Sequence, residues 1–150
     1  MRLVALALGL AGASCADASS LFTGRWAAQT LVTSTWAFPT GLPELAIGHF
    51  GNEVAGVAWF LDENGLASGP ESCRCSFVDG QTVKPAQGRL VVNTTFCDGA
   101  VWQWRLELDD SGDAPVLRGQ VLATDGSGDS VDVELERIDT FIPEERKECP

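Results

Sequence analysis

The residues best able to do chemistry in this chain are its cysteines, Cys15, Cys73, Cys75, Cys97 and Cys149. Cys73 and Cys75 are two positions apart, so on a strand they point to the same face and a direct bond between them would be strained. We expect one of this pair to bond to Cys97 and the other to Cys149, with the connectivity left open. A bond to Cys149 would fix the C-terminal tail and stabilise the fold by about 2–4 kcal/mol.

Catalytic and metal chemistry have little support in the remaining residues. His49 is the only histidine, so any triad would depend on it and a C-x-C metal site would lack partners. Residues 109–113 and 125–129 alternate Asp and Ser with Gly, as calcium loops do and as ordinary turns of an acidic protein also do. No G-x-S-x-G, H-E-x-x-H or P-loop motif is present. We therefore predict a non-catalytic protein without a cofactor or a bound metal.

The charge of the chain limits its partners. Its 21 acidic and 10 basic residues give a formal net charge of −11. This charge repels the phosphates of nucleic acids and the surface of anionic lipid bilayers. We therefore expect no nucleic-acid partner, and membrane contact only through an attached lipid.

The N-terminus has the pattern of an export signal. Met1 and Arg2 give a short basic start, residues 3–10 are apolar, and small residues occupy positions 11–14. This order is typical of a secretory signal peptide, and the apolar run is too short for a membrane-spanning helix. We predict that residues 1–15 are a signal-peptide segment with a lipobox-like Cys15 and that residues 16–21 are a short polar tether.

Two processing sites are possible in this segment. Residues 12–15, Gly-Ala-Ser-Cys, resemble the lipobox of bacterial lipoproteins, although Gly12 stands where Leu is usual. The resemblance implies that Cys15 becomes a lipidated first residue and anchors the protein in the bacterial cell envelope, at the outer membrane. The alternative is cleavage after Ala18, which gives a soluble secreted protein. Either cut leaves four cysteines, an even number that fits two disulfides in an oxidising compartment.

The clearest structural signal is a hairpin over Arg89–Asp109. Its second half alternates apolar and polar residues, as half-buried strands do. A three-residue turn at 97–99 puts Thr94 opposite Trp102 and Val92 opposite Trp104. A two-residue turn would put Asn93 on the buried face. We therefore predict the longer turn, with a left-handed glycine at its last position.

The rest of the chain follows the same pattern of short strands and tight turns. We predict the other strands at residues 22–32, 45–50, 53–61, 73–78, 116–124 and 131–136. The pattern indicates a single all-β domain over residues 22–139, followed by a charged tail at 140–150. About eight strands with short connections favour an antiparallel up-and-down barrel, with a two-sheet sandwich as the alternative.

A family resemblance supports the barrel. Gly24-Arg25-Trp26 in the first strand resembles the G-x-W signature of lipocalin-like and avidin-like barrels, the calycins. The resemblance implies that Trp26 closes one end of the barrel. It also implies that a basic residue of the last strand, here Arg137, packs over the tryptophan ring through a cation–π contact.

Aromatic residues are the candidates for binding. Trp36 and Phe38 lie in a loop between residues 33 and 43, and we expect Trp59, Trp102 and Trp104 to line the barrel interior. The interior could instead be a solid core. We therefore predict a binding module for a small apolar ligand or an envelope protein. The alternative is a secreted or periplasmic inhibitor of a protease or lysozyme, because small barrel-type inhibitors of the bacterial envelope have similar size, export signals and disulfides.

Overall fold

The computed structural model describes residues 21–33, 41–67, 75–82, 87–95 and 99–149. The sites predicted at Cys15, Trp36, Phe38, Cys73 and Cys97, together with the signal peptide, lie outside these residues. The strands are β1 Gly24–Ala28, β2 Leu42–Phe50, β3 Glu53–Leu61, β4 Cys75–Thr82, β5 Arg89–Thr95, β6 Val101–Asp109, β7 Val116–Ala123 and β8 Ser130–Asp139. One turn of 3-10 helix follows at Glu144–Arg146.

The strands form one closed antiparallel barrel. Each strand pairs with the next along the chain, and β1 pairs with β8 to complete the ring. The prediction of a single-domain up-and-down barrel is thereby confirmed, and the sandwich alternative is wrong. Closure pairs both sides of every strand, so no sheet edge is left to associate with other chains.

The predicted pairing of the hairpin is also confirmed. Thr94 lies opposite Trp102 and Val92 lies opposite Trp104 in the ladder between β5 and β6. Gly99 has a φ of 77°, the left-handed conformation that a glycine adopts without steric cost. The alternation of Trp, Leu and polar residues therefore sets which face of β6 points inward.

Alternate residues of all eight strands fill the barrel interior. The largest aromatic members of this core are all buried: Phe22, Trp26, Phe60, Trp102 and Trp104. Aliphatic residues from every part of the sheet pack around these rings. A barrel of this size has an interior that its own side chains can fill, and the interior side chains of the described strands are packed in this way.

The strand predictions differ from the structure in several bounds and in one side-chain direction. β2 begins at Leu42 and not at residue 45, β4 extends to Thr82, and β8 extends to Asp139. β1 ends at Ala28 and not at position 32, because Thr30 is exposed and Val32 only makes an isolated bridge to Gly41. Trp59 does not line the interior, because it packs in a second apolar cluster on the outer face of β3. Both faces of β3 are apolar in sequence, so its alternation does not reveal which face points inward.

Interior glycines allow the strands to bend tightly around the core. A β-carbon on Gly56 would overlap the backbone of Ala46 on β2, and one on Gly119 would overlap the backbone of Arg105 on β6. Glycines at such positions permit the close backbone approach and sharp coiling that closing a small barrel requires.

We predict that Gly119→Ala destabilises the protein by about 1–3 kcal/mol, because the added methyl group forces apart two paired strands. Chemical denaturation followed by tryptophan fluorescence measures the change. Gly112→Ala is the matched control, since the nearest atom to its β-carbon would be 3.8 Å away. The control should change stability by less than about 0.5 kcal/mol. Equal losses in the two variants would contradict the role assigned to Gly119.

Candidate functional site

One end of the barrel is closed by a tryptophan and an arginine. The Arg137 guanidinium carbon lies 4.3 Å from the centre of the buried Trp26 ring. The Trp26 indole N–H donates to the carbonyl oxygen of Phe22 at 2.8 Å, and Arg137 donates to the carbonyl oxygen of Leu21. These contacts tie the segment before β1 across the end of the barrel. The structure thus brings together the two residues that the calycin resemblance pairs.

The environment of Arg137 suits a structural role. Burial removes its guanidinium from water and lowers the pKa of the group. Its Nε–H has no hydrogen-bond partner among the described residues. The guanidinium contacts the Trp26 ring and the Leu21 carbonyl oxygen. These contacts make it a poor site for binding an anion.

His49 lies at the same end and is buried. Its Nε2–H donates to the carbonyl oxygen of Gly51 at 3.0 Å, and its ring packs 5.3 Å from that of Phe22. Thr23 Oγ1 accepts a hydrogen bond from the His49 backbone N–H. Its Nδ1 has no partner among the described residues. A catalytic triad needs a carboxylate on one ring nitrogen and a nucleophile near the other, and these contacts supply neither.

The interior tryptophans belong to the packed core. Trp104 is fully buried, and its indole N–H donates to Thr94 Oγ1 at 2.9 Å. Trp102 packs edge-on against Phe60 with the ring centres 6.4 Å apart. These side chains occupy space that a carried ligand would need.

A second cluster lies outside the barrel, and we name it the covered cluster: Leu42, Glu44, Val57, Trp59 and Leu61, with Arg25 and Arg146. Glu44 is its centre and is only 1% exposed, although it lies on the outer face of β2. Arg25 donates two hydrogen bonds to the carboxylate, from Nε to Oε1 at 2.9 Å and from Nη2 to Oε2 at 3.1 Å. This hydrogen bonding to Glu44 raises the pKa of Arg25. A buried carboxylate needs such pairing, because an unpaired charge in an apolar setting is strongly unfavourable.

The C-terminal tail lies over part of the covered cluster, and Ala67 also packs against it. Arg146 Nε lies 3.8 Å from the Glu44 carboxylate, and its guanidinium carbon lies 5.0 Å from the centre of the Trp59 ring. A disulfide bonds Cys149 to Cys75, one of the two pairings that the sequence allowed. The expected tie between the tail and the barrel is thereby confirmed.

Sequence reasoning missed the covered cluster. Glu44 was the available signal, since it is the one charged residue in the otherwise apolar run of β2. A lone carboxylate in such a run requires either an exposed face or a buried cationic partner. The sequence alone does not indicate that Arg25 and Arg146, which are far apart in the chain, meet there.

The opposite side of the barrel carries a row of paired charges. Arg89, Glu107, Arg118 and Glu134 are cross-strand neighbours from β5 to β8, so their signs alternate along the row. Arg89, Glu107 and Arg118 border a surface groove of about 370 Å³. Arg118 donates to Glu134 at 2.7 Å and also pairs with Asp109. Arg89 and Arg118 thus have carboxylate partners, whereas Arg105 in the same groove donates to the Gln103 side chain at 2.7 Å.

Three exposed apolar side chains lie on the outer face of β2, β3 and β4, and we name them the aromatic patch: Phe50, Ala55 and Phe77. Phe50 is 71% exposed and Phe77 is 69% exposed. The Phe50 ring lies over Gly48, where a β-carbon would come within 2.8 Å of it, and Gly48 is paired with Ala55. Exposed aromatic side chains grouped on one face commonly mark a contact surface.

The described residues contain no group of three His, Cys, Asp or Glu side chains arranged to hold a metal ion. None of the helical residues described forms a segment long and apolar enough to cross a membrane.

Comparisons of the chain with protein-family models, with curated proteins and with solved structures found no match. The closed eight-stranded antiparallel barrel is consistent with a calycin-like fold, and it is the part of that resemblance that the structure supports.

We predict that Glu44→Ala destabilises the protein by about 3 kcal/mol or more, because it leaves Arg25 without its buried partner. Thermal and denaturant unfolding measure the change. Glu134→Ala is the control, since it removes a carboxylate from an arginine pair on the exposed face of β8. Surface pairs contribute little, so this variant should stay close to the wild type. Similar losses in both would count against a special role for Glu44.

Proposed function

We propose that this protein is an exported, non-catalytic binding module of calycin type that recognises a partner protein with its outer surface. The main support is the filled interior. Phe22, Trp26, Phe60, Trp102 and Trp104 are each 3% exposed or less and pack across the barrel axis. A carrier of small molecules needs a cavity of about 300 Å³ or more. Binding on the outer surface needs no such cavity.

The aromatic patch supports this proposal because of its composition and its border. Phe50 and Phe77 offer large apolar surfaces of the kind that anchor protein interfaces. The exposed carboxylates of Glu53 and Asp79 lie beside them on β3 and β4. With a net charge of −11, the protein favours a basic partner, and opposite charge also accelerates association.

Inhibition of an enzyme is the second candidate, and the same charge favours it. A basic exported enzyme, such as a lysozyme or a cationic protease, would be attracted to this acidic surface. In that case the aromatic patch would cover the enzyme's substrate cleft. Loss of enzyme activity on binding distinguishes this candidate from simple docking.

The proposed location is the bacterial cell envelope, with Cys15 as the anchor. The support is the sequence of residues 1–15, with its basic start, apolar run and lipobox-like end. Lipidation would hold the barrel at a membrane surface on a short tether. Cleavage after Ala18 is the alternative and would release a soluble protein.

Native mass spectrometry of the protein from its own host tests both the lipid anchor at Cys15 and the absence of a carried ligand. We expect a mass that includes acyl chains on Cys15 and no retained small molecule. A protein that begins at Ser19 would overturn the anchor but not surface binding. A stoichiometric apolar molecule that remains bound would overturn surface binding and favour ligand carriage.

We predict that Phe77→Ser weakens binding to a basic partner at least tenfold, because it removes an anchoring ring from the aromatic patch. A lysozyme and a trypsin-like protease are the probes, and calorimetry with activity assays gives affinity and inhibition. Leu66→Ser is the control, since Leu66 is 66% exposed but belongs to the connection after β3 and not to the patch. Equal weakening by the two changes, or the absence of binding to both probes, would count against this assignment.

A further inference from the structure

The residues of the C-terminal tail are themselves largely exposed, but barrel residues beneath the tail are buried. The 3-10 turn at Glu144–Arg146 contains no buried residue. Beneath the tail, Glu44 and Val57 are 1% exposed, and Trp59 is 7% exposed, although all three lie on the outside of the barrel. Outer-face residues of a sheet are buried only when something lies over them, and here Arg146 and Cys149 contribute to that cover.

The tail has few attachments to the barrel. Its described backbone hydrogen bonds are local, from Arg146 N–H to the Pro143 carbonyl and from Lys147 N–H to the Glu144 carbonyl. Lys147 also pairs with Glu144 within the same turn. The other described ties are the contacts of Arg146 with the covered cluster, the electrostatic attraction between Glu145 and Arg25, and the disulfide between Cys149 and Cys75. The bond acts by keeping the tail close to its site, which raises its effective concentration there.

The barrel does not depend on the tail for its closure. All eight strand pairs lie between Gly24 and Asp139. If the tail left, the Glu44 carboxylate would keep its two hydrogen bonds to Arg25. No buried charge would therefore lose its main partner, and the opened protein would remain folded.

From these observations we propose that residues 140–149 form a reducible cover over the covered cluster. A dithiol reductant attacks the Cys75–Cys149 bond, forms a mixed disulfide and then closes its own disulfide. Two electrons and two protons pass to the protein, which gains two thiols. Both cysteines are partly exposed, so a reductant can reach the bond. Reduction releases the tail and exposes Trp59 and the Glu44–Arg25 pair.

This inference does not depend on the proposed partner protein, but the covered cluster lies next to the aromatic patch. Val57 of the covered cluster lies directly opposite Phe77 of the aromatic patch in the ladder between β3 and β4. Opening the cover would therefore extend the apolar surface toward Trp59 and add a carboxylate–arginine pair to it.

The test is hydroxyl-radical footprinting of the tryptophans in the double variant Cys75→Ser/Cys149→Ser, read by mass spectrometry. We expect oxidation of Trp59 to rise several-fold over the wild type while Trp26 and Trp104 stay protected. Wild-type protein treated with dithiothreitol should show the same selective rise. The matched control is Cys73→Ser/Cys97→Ser, which removes the same number of cysteines but keeps the bond between Cys75 and Cys149. In this control, Trp59 should become oxidised only when reductant is added.

Two results would overturn the proposal. If Trp59 stays protected in the double variant, the tail remains docked without the bond and is not a reducible cover. If Trp26 and Trp104 become oxidised together with Trp59, the bond supports the whole barrel and not a separable segment. Far-ultraviolet circular dichroism of the same samples provides an independent measure of barrel integrity.

Discussion

The pairing of β1 with β8 is the constraint on which the rest of the structure depends. It joins the two ends of the domain, closes the barrel and leaves no strand edge exposed. The contact of Trp26 with Arg137 lies on this seam, since the two residues are partners in the β1–β8 ladder. Closure fixes which face of each strand points inward. It thereby also fixes the outer position of Glu44 and Trp59.

Closure around a packed core places most of the described charged and exposed apolar side chains on the outside of the barrel. The interior consists mainly of aromatic and aliphatic side chains. The buried Thr94 hydroxyl accepts a hydrogen bond from the Trp104 indole N–H. Outside, the two halves of the barrel differ. One half carries alternating paired charges across β5 to β8, and the other carries the covered cluster and the aromatic patch. The second half is therefore the side that carries exposed apolar side chains.

Much of the fold was predictable because the patterns that determine it are local. The alternation around Trp102 and Trp104 gave the register of β5 with β6, and turn residues marked most strand boundaries. The prediction for Trp59 failed because β3 is apolar on both faces, so period-two alternation carries no information about direction there. The second apolar face is buried against Cys149 of the tail and against Ala67 in the connection after β3. A contact made by residues so distant in the chain leaves no periodic signal, and for the same reason the pairing of Glu44 with Arg25 and Arg146 was not predictable.

The order in which the strands are synthesised gives closure a further consequence. β1 is made before all other strands and its partner β8 after them, so the pair that completes the ring is also the most distant in sequence. Non-local pairing of this kind slows folding, since a long loop must close before its contacts form. During synthesis the growing sheet has a free β1 edge that can pair with another chain. The Cys75–Cys149 bond encloses β4 to β8 in one covalent loop with a sequence separation of 74 residues. If the barrel opens later, this covalent loop keeps β4 to β8 together. Only β1, β2 and β3 then have to pair again with the rest of the sheet.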